Sequence, residues 1–147
     1  MFYQLKIAEE NDGNKLTEFV EKAGVSSEGI TSMLDYFVMM EDGENEVVAC
    51  IGVEPVGEDG ILRSLVISDK LKQAHVLTLF QSVQTLSQQK NMNNLYLVTN
   101  KKASVDFMLL MGFDVVELND VPGHLSTSEH IKNSLLSPDT TVMVKNN

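Results

Sequence analysis

Hydrophobic and polar positions along this chain follow two periods in turn. "FYQLKIA", residues 2–8, alternates at period two and predicts a strand. In "NDGNKLTEFVEKAG", Leu16, Phe19, Val20 and Ala23 recur at helical spacing, and Gly24 is placed to stop that helix in a left-handed turn. "SSEGITSML" predicts a second short helix. "DYFVMMED" and "EVVACIGVEPV" predict two strands joined at "GEN" by a tight turn. "GILRSLVIS" is apolar at nearly every position, as a central strand is. Val76, Leu79, Phe80, Val83 and Leu86 then form a helical stripe running toward Lys90. "LYLVTN" predicts a short buried strand, "KASVDFMLLMGF" a helix ending near Gly112, and "FDVVEL" a further strand. "STSEHIKNSLL" predicts a helix that begins with Ser126 and Glu129 at capping-box spacing; Pro138 ends it, and "TTVMVK" is a last strand.

The order is β-α-(α)-β-β-β-α-β-α-β-α-β. Short turns make the middle three strands an antiparallel meander. The strand–helix–strand unit over residues 61–99 needs a crossover, which gives parallel strands and, by the general rule, a right-handed connection. The expected fold is therefore α/β: a mixed, mostly antiparallel sheet flanked by helices, in a single domain over residues 1–147. No internal repeat or linker interrupts it.

Composition narrows the partners. One cysteine, Cys50, rules out an internal disulfide and a cysteine-built zinc site. It sits in an apolar run, reads as a small core residue, and fits a reducing, cytoplasmic setting. The N-terminus lacks a basic start and a long apolar run, and no stretch approaches the ~20 apolar residues of a membrane span, so no membrane partner is expected. A net charge of −10 argues against a nucleic-acid partner. The charge is unevenly spread. Residues 60–105 hold Arg63, Lys70, Lys72, Lys90, Lys101 and Lys102 against Asp69 alone, inside an otherwise acidic chain. Solvated faces would account for this. So would an anionic ligand on the central segment and a cationic one near the acidic remainder.

Common catalytic motifs are absent. There is no GxxxxGK[ST] or GxGxxG loop, no glycine lies between Gly60 and Gly112, and His75, His124 and His130 form no HExxH pair, so no metal site is expected. What remains is the join in "VISDKLKQAHVLTLF", residues 66–80. A helix start offers unpaired amides and partial positive charge to an anion, and Lys70 and Lys72 add to that field. The plainer reading is a helix capped by Ser68 or Asp69 with solvated lysines.

The element order, with "ILRSLVISDKLKQAHVLTLF" and "KASVDFMLLMGF", resembles the GCN5-related N-acetyltransferase superfamily over nearly the whole chain. "LRSLVI" is similar to that family's LxxLxV strand, and Gly112-Phe113 to the end of its later helix. The tail also resembles, loosely, small amino-acid acetyltransferases. The resemblance implies an acetyl-CoA-dependent N-acetyltransferase acting on a small amine, often as a homodimer. Leu65, Val66 and Ile67 would supply backbone groups to the thioester. Lys72, Gln73, Ala74, His75, Val76, Leu77 and Thr78 would hold the coenzyme A pyrophosphate, with Asn100 and Ser104 contributing further cofactor contacts. Glu54 is the implied base, acting through water, although by itself it reads as a solvated strand end. Arg63 and Ser64 share the thioester strand, and Ser64 is a catalytic candidate. Tyr36 and Tyr96 are alternative acids that read more simply as core or sheet residues.

The chain also departs from that pattern. Lys72 takes the Arg/Gln place, but His75 and Leu77 stand where the family has glycines, and each brings a Cβ toward the ligand. Met108 falls where the family often has a proton-donating tyrosine, and Lys101 where it often has an asparagine. These departures imply the alternative: a noncatalytic acyl-CoA sensor or protein-interaction domain on the same fold.

Overall fold

The computed structural model describes residues 2–147. Among these residues, seven strands hydrogen-bond in the order β1-β2-β3-β4-β5-β7-β6. They are β1 Gln4–Ile7, β2 Phe37–Glu41, β3 Val47–Val56, β4 Asp59–Ile67, β5 Asn94–Thr99, β6 Asp114–Val116 and β7 Thr141–Asn146. The helices are α1 Gly13–Lys22, α2 Gln73–Gln89, α3 Lys102–Leu110 and α4 Glu129–Ser134. The sheet is mixed and mostly antiparallel, with the expected antiparallel β2–β3 pair and parallel β4–β5 pair. The chain forms two compact units. The first takes in residues up to Val53 together with Ser64–Leu86; the second is Glu54–Arg63 with Ser87–Asn147.

In the first unit, β1 and β2 pair with Leu5 opposite Met40, and β2 and β3 with Met39 opposite Cys50. The apolar stripe of α1 buries Leu16 and Val20 in a cluster with Ile30, Phe37, Met39, Cys50 and Val66. Each fully buried aliphatic side chain contributes about 1.5–3 kcal/mol. Gly24, at φ 76, closes α1 as its spacing predicted: its amide donates to the Glu21 carbonyl, and that of Val25 to Val20. "SSEGITSML" departs from expectation. It forms turns around Gly29, at φ 82, and leads into a 3-10 turn at Leu34–Tyr36. A left-handed residue in mid-segment interrupts the hydrogen-bond ladder a helix needs there.

Asp12 is the charged centre of this unit. Its side chain is almost fully buried, and it accepts from Lys6 Nζ at 2.9 Å and from the Glu9 amide at 2.9 Å. Lys15 reaches it at 3.5 Å and also pairs with buried Glu41. Burial pushes the Asp12 carboxyl up, but the Lys6 hydrogen bond, the Glu9 amide and the two lysine charges outweigh it and hold it below the usual range. A carboxylate held low contributes stability above its unfolded value and loses it as pH falls through the folded one. Asp12→Ala should therefore cost about 2–3 kcal/mol at neutral pH, read by urea unfolding, and flatten the acid limb of the stability curve. An unchanged acid limb would contradict this.

In the second unit, β5 and β7 pair along their full length, from Asn94 opposite Asn146 to Thr99 opposite Thr141, and β6 adds to β7. Val56, Ile61, Tyr96, Leu125, Ile131 and Val142 form its core. Gly112, at φ 96, ends α3, with the Phe113 amide donating to the Met108 carbonyl. The start of α4 corrects the sequence reading. Ser128, not Ser126, is the N-cap, its hydroxyl accepting from the Ile131 amide at 3.4 Å. Residues 123–127 form a 3-10 turn ahead of the cap, so the helix starts two residues later.

Candidate functional site

The join after β4 is built in three steps. First, β4 breaks its own repeat. Ser64 takes the left-handed conformation at φ 57, which costs a non-glycine residue on the order of 1–2 kcal/mol. Its carbonyl accepts from the Cys50 thiol at 3.4 Å, and the Ser68 amide donates to the Val48 carbonyl at 2.8 Å, so β3 holds both ends of the irregular stretch. Burial pushes the Cys50 thiol up to about 12, against the opposing Val66 backbone hydrogen bond. Cys50 is thus a core residue, as its apolar run suggested, and inert as a nucleophile. Leu65 is exposed, Val66 is buried and Ile67 lies between.

Second, the chain turns. Ser68 Oγ accepts from the Lys70 amide at 3.3 Å, and the Leu71 amide donates to the Ser68 carbonyl. Ser68 therefore serves this turn and does not cap α2, which begins at Gln73. Third, α2 starts with a histidine in the capping position. His75 Nδ1 accepts from the Lys72 amide at 3.1 Å, and the His75 and Val76 amides donate to the Lys72 carbonyl. Gln73 and Ala74 keep their amides for a ligand or water, as the first residues of a helix do. The His75 ring packs edge-on against Tyr3, with centroids 4.7 Å apart.

The residues here fit an anionic group in part. Two first-turn amides and the exposed Lys70 and Lys72, neither within ion-pair distance of a carboxylate among the described residues, supply donors and charge. Against that, the Lys72 amide is taken by the His75 ring. Leu77 and Thr78 are exposed one turn on, so a leucine side chain stands on the accessible surface there.

The remaining candidates lie in the second unit. Glu54 is held at both oxygens: Ser128 Oγ donates to Oε1 at 2.5 Å, and Arg63 Nη1 to Oε2 at 3.1 Å. Burial, then the Arg63 charge, push the nearby His130 imidazole below its ordinary value, against the opposing effect of Glu54. This cluster went unseen in sequence, since 74 residues separate Ser128 from Glu54. Asn100 and Ser104 line an open recess of about 340 Å³ with Thr99, Lys101, Ser134 and Thr140. Met108 is buried in α3, and Tyr96 belongs to the core, where burial and then the Asp59 charge raise its phenol. Tyr36 ends the 3-10 turn before β2. Among the described residues, no group of three or more His, Cys, Asp or Glu could hold a metal ion, and no helix is long and apolar enough to cross a membrane.

No protein-family model matches the chain. The uncharacterised protein YwlB of Bacillus subtilis is 42% identical over 146 residues, covering 99% of this chain and 98% of that one. Among solved structures, the N-acetylglutamate synthase of Neisseria gonorrhoeae, complexed with coenzyme A and N-acetyl-glutamate, superposes with a TM-score of 0.78 at 12% identity. That match covers 99% of this chain but only 35% of the synthase. A GNAT-family acetyltransferase of Staphylococcus aureus Mu50 superposes with a TM-score of 0.71 at 14% identity over 99% of both chains. The chain therefore belongs to the family of YwlB and carries the fold of the GCN5-related N-acetyltransferase superfamily.

Proposed function

We propose that the protein is an acetyl-CoA-dependent N-acetyltransferase acting on a small amine. The observation that carries this reading is the break of β4 at Ser64 followed by an α2 start with open amides and two exposed lysines that meet no carboxylate among the described residues. Lys70, Lys72 and the amides of Gln73 and Ala74 would hold the pyrophosphate. The irregular strand at Leu65, Val66 and Ile67 would offer backbone groups to the thioester. Val76 and Thr78 add the shape of the first turn, and Asn100 and Ser104 remain part of the proposed cofactor set. Acetyl-CoA supplies the activated acyl group. The protein's share is positioning, a route for one proton, and stabilisation of the developing oxyanion. Glu54, fixed by Arg63 and Ser128, is the proposed base through water. Ser64 shapes the strand through its backbone. The synthase neighbour, complexed with coenzyme A and N-acetyl-glutamate, supports an amino-acid-like amine as the acceptor class. A homodimer in the cytoplasm completes the proposal.

Two observations favour the second reading, a noncatalytic acyl-CoA sensor or protein-interaction domain. The His75 ring occupies the Lys72 amide, and Met108 can neither donate nor accept a proton. Release of free thiol from acetyl-CoA across a panel of amino acids and polyamines separates the two. Turnover with at least one amine is expected. Coenzyme A binding with no thiol release above the amine-free rate would favour the sensor.

A further inference from the structure

We propose that His75 gates the α2 start, so that coenzyme A binding is coupled to proton uptake on this one imidazole. The proposal rests on the coenzyme A reading above and adds its regulation. Its basis is the hydrogen bond from the Lys72 amide to His75 Nδ1 at 3.1 Å. An accepting Nδ1 carries no hydrogen, so the neutral ring holds its hydrogen on Nε2. In that tautomer the ring does what Glu or Gln does in a capping box three residues into a helix: it satisfies the N-cap amide and withholds it from any ligand.

A proton added at Nδ1 removes the acceptor. The Lys72 N–H and the new Nδ1–H then face each other as two donors, and the ring has to turn away. The Lys72 amide is released, and an imidazolium charge joins the two lysines. Both changes favour a phosphate group, and by linkage a bound phosphate favours the proton.

Tyr3, ahead of β1, meets the His75 ring edge-on at 4.7 Å, and the chain leading into α2 carries Lys72, Lys70 and Asp69. Half-buried against the tyrosine, the ring has a docked position to leave and return to. A glycine at this place, as the resemblance implies for other members, would leave the amide open at every pH. His75 thus makes conditional what a glycine leaves constant.

The test is calorimetric titration of coenzyme A at pH 6 and pH 8, which bracket the range where imidazoles commonly titrate. The wild type is compared with His75→Gln and His75→Gly. Gln keeps a capping acceptor that does not titrate; Gly removes it. Any contribution from the ligand's own phosphates is shared by all three proteins. Beyond that shared part, the wild type should bind about tenfold more tightly at pH 6 than at pH 8, the worth of one charge-assisted hydrogen bond. His75→Gln should bind weakly at both, and His75→Gly tightly at both. In 15N spectra of the free wild type, the Lys72 amide should move together with the His75 ring as pH falls. Equal pH dependence in wild type and His75→Gln, or a Lys72 amide indifferent to the ring, overturns the gate while leaving coenzyme A binding intact. No binding to any of the three at millimolar ligand overturns the proposed function itself, and the gate with it.

Discussion

Reversing both lysines at the start of α2, Lys70→Glu with Lys72→Glu, should weaken coenzyme A binding by about a hundredfold or more. Each lysine is exposed and unpaired among the described residues, so neither holds the fold together and the protein should remain folded. Each removed charge-assisted contact to phosphate is worth about 1.5 kcal/mol, and two together amount to roughly two decades of affinity. The new carboxylates add repulsion. Because these groups face solvent, the loss should shrink in 0.5 M salt, where the Debye length falls to about 4 Å. A double reversal of Lys22 and Lys132 makes the same change in net charge and should leave binding nearly unaltered. Equal losses in the two double variants would mean that the charge of the whole chain, and not this join, attracts the ligand.

Gly52→Ala should cost about 2–4 kcal/mol of stability, a large share of a domain's total. Gly52 lies on β3 directly opposite Phe37 on β2, and the phenyl ring covers its backbone. A Cβ on residue 52 would sit 2.6 Å and 2.7 Å from two ring carbons. Phe37 is buried in the cluster with Leu16, Val20 and Met39, so its ring has little room to withdraw. Combining Gly52→Ala with Phe37→Leu should recover part of the loss, since the smaller side chain clears the new methyl. The urea midpoints of the two single variants and the double variant would show this as strong non-additivity. Purely additive losses would place the cost of Gly52→Ala elsewhere than on the ring.

Periodicity revealed the strands and the long helices because each buries one face. Leu16 and Val20 of α1, the run of β4, and the left-handed Gly24 and Gly112 stand where their spacing placed them. What stayed hidden depended on distant partners or on unusual backbone. Asp12 reads as an ordinary polar residue until Lys6 and Lys15 converge on it. The Ser64 break leaves no trace in "LRSLVI", because serine is not the residue that usually marks a left-handed position, and Cys50 holds it from another strand. The shift of the α4 cap from Ser126 to Ser128 follows from a 3-10 turn that shares the helix's local pattern. At the candidate site, the resemblance implied that His75 and Leu77 stand where the superfamily has glycines. The Lys72-x-x-His75 spacing is that of a capping box, but a histidine is not the usual residue there, and only the folded chain brings its ring to accept from the Lys72 amide.

Coenzyme A binding at the β4–α2 join is read residue by residue from backbone amide shifts, followed by NMR during a coenzyme A titration. Saturable shifts should concentrate at Leu65–Ile67 and Lys70–Thr78, with Gln73 and Ala74 among the largest. Absence of shifts at millimolar ligand, or saturable shifts that spare this stretch, would contradict it.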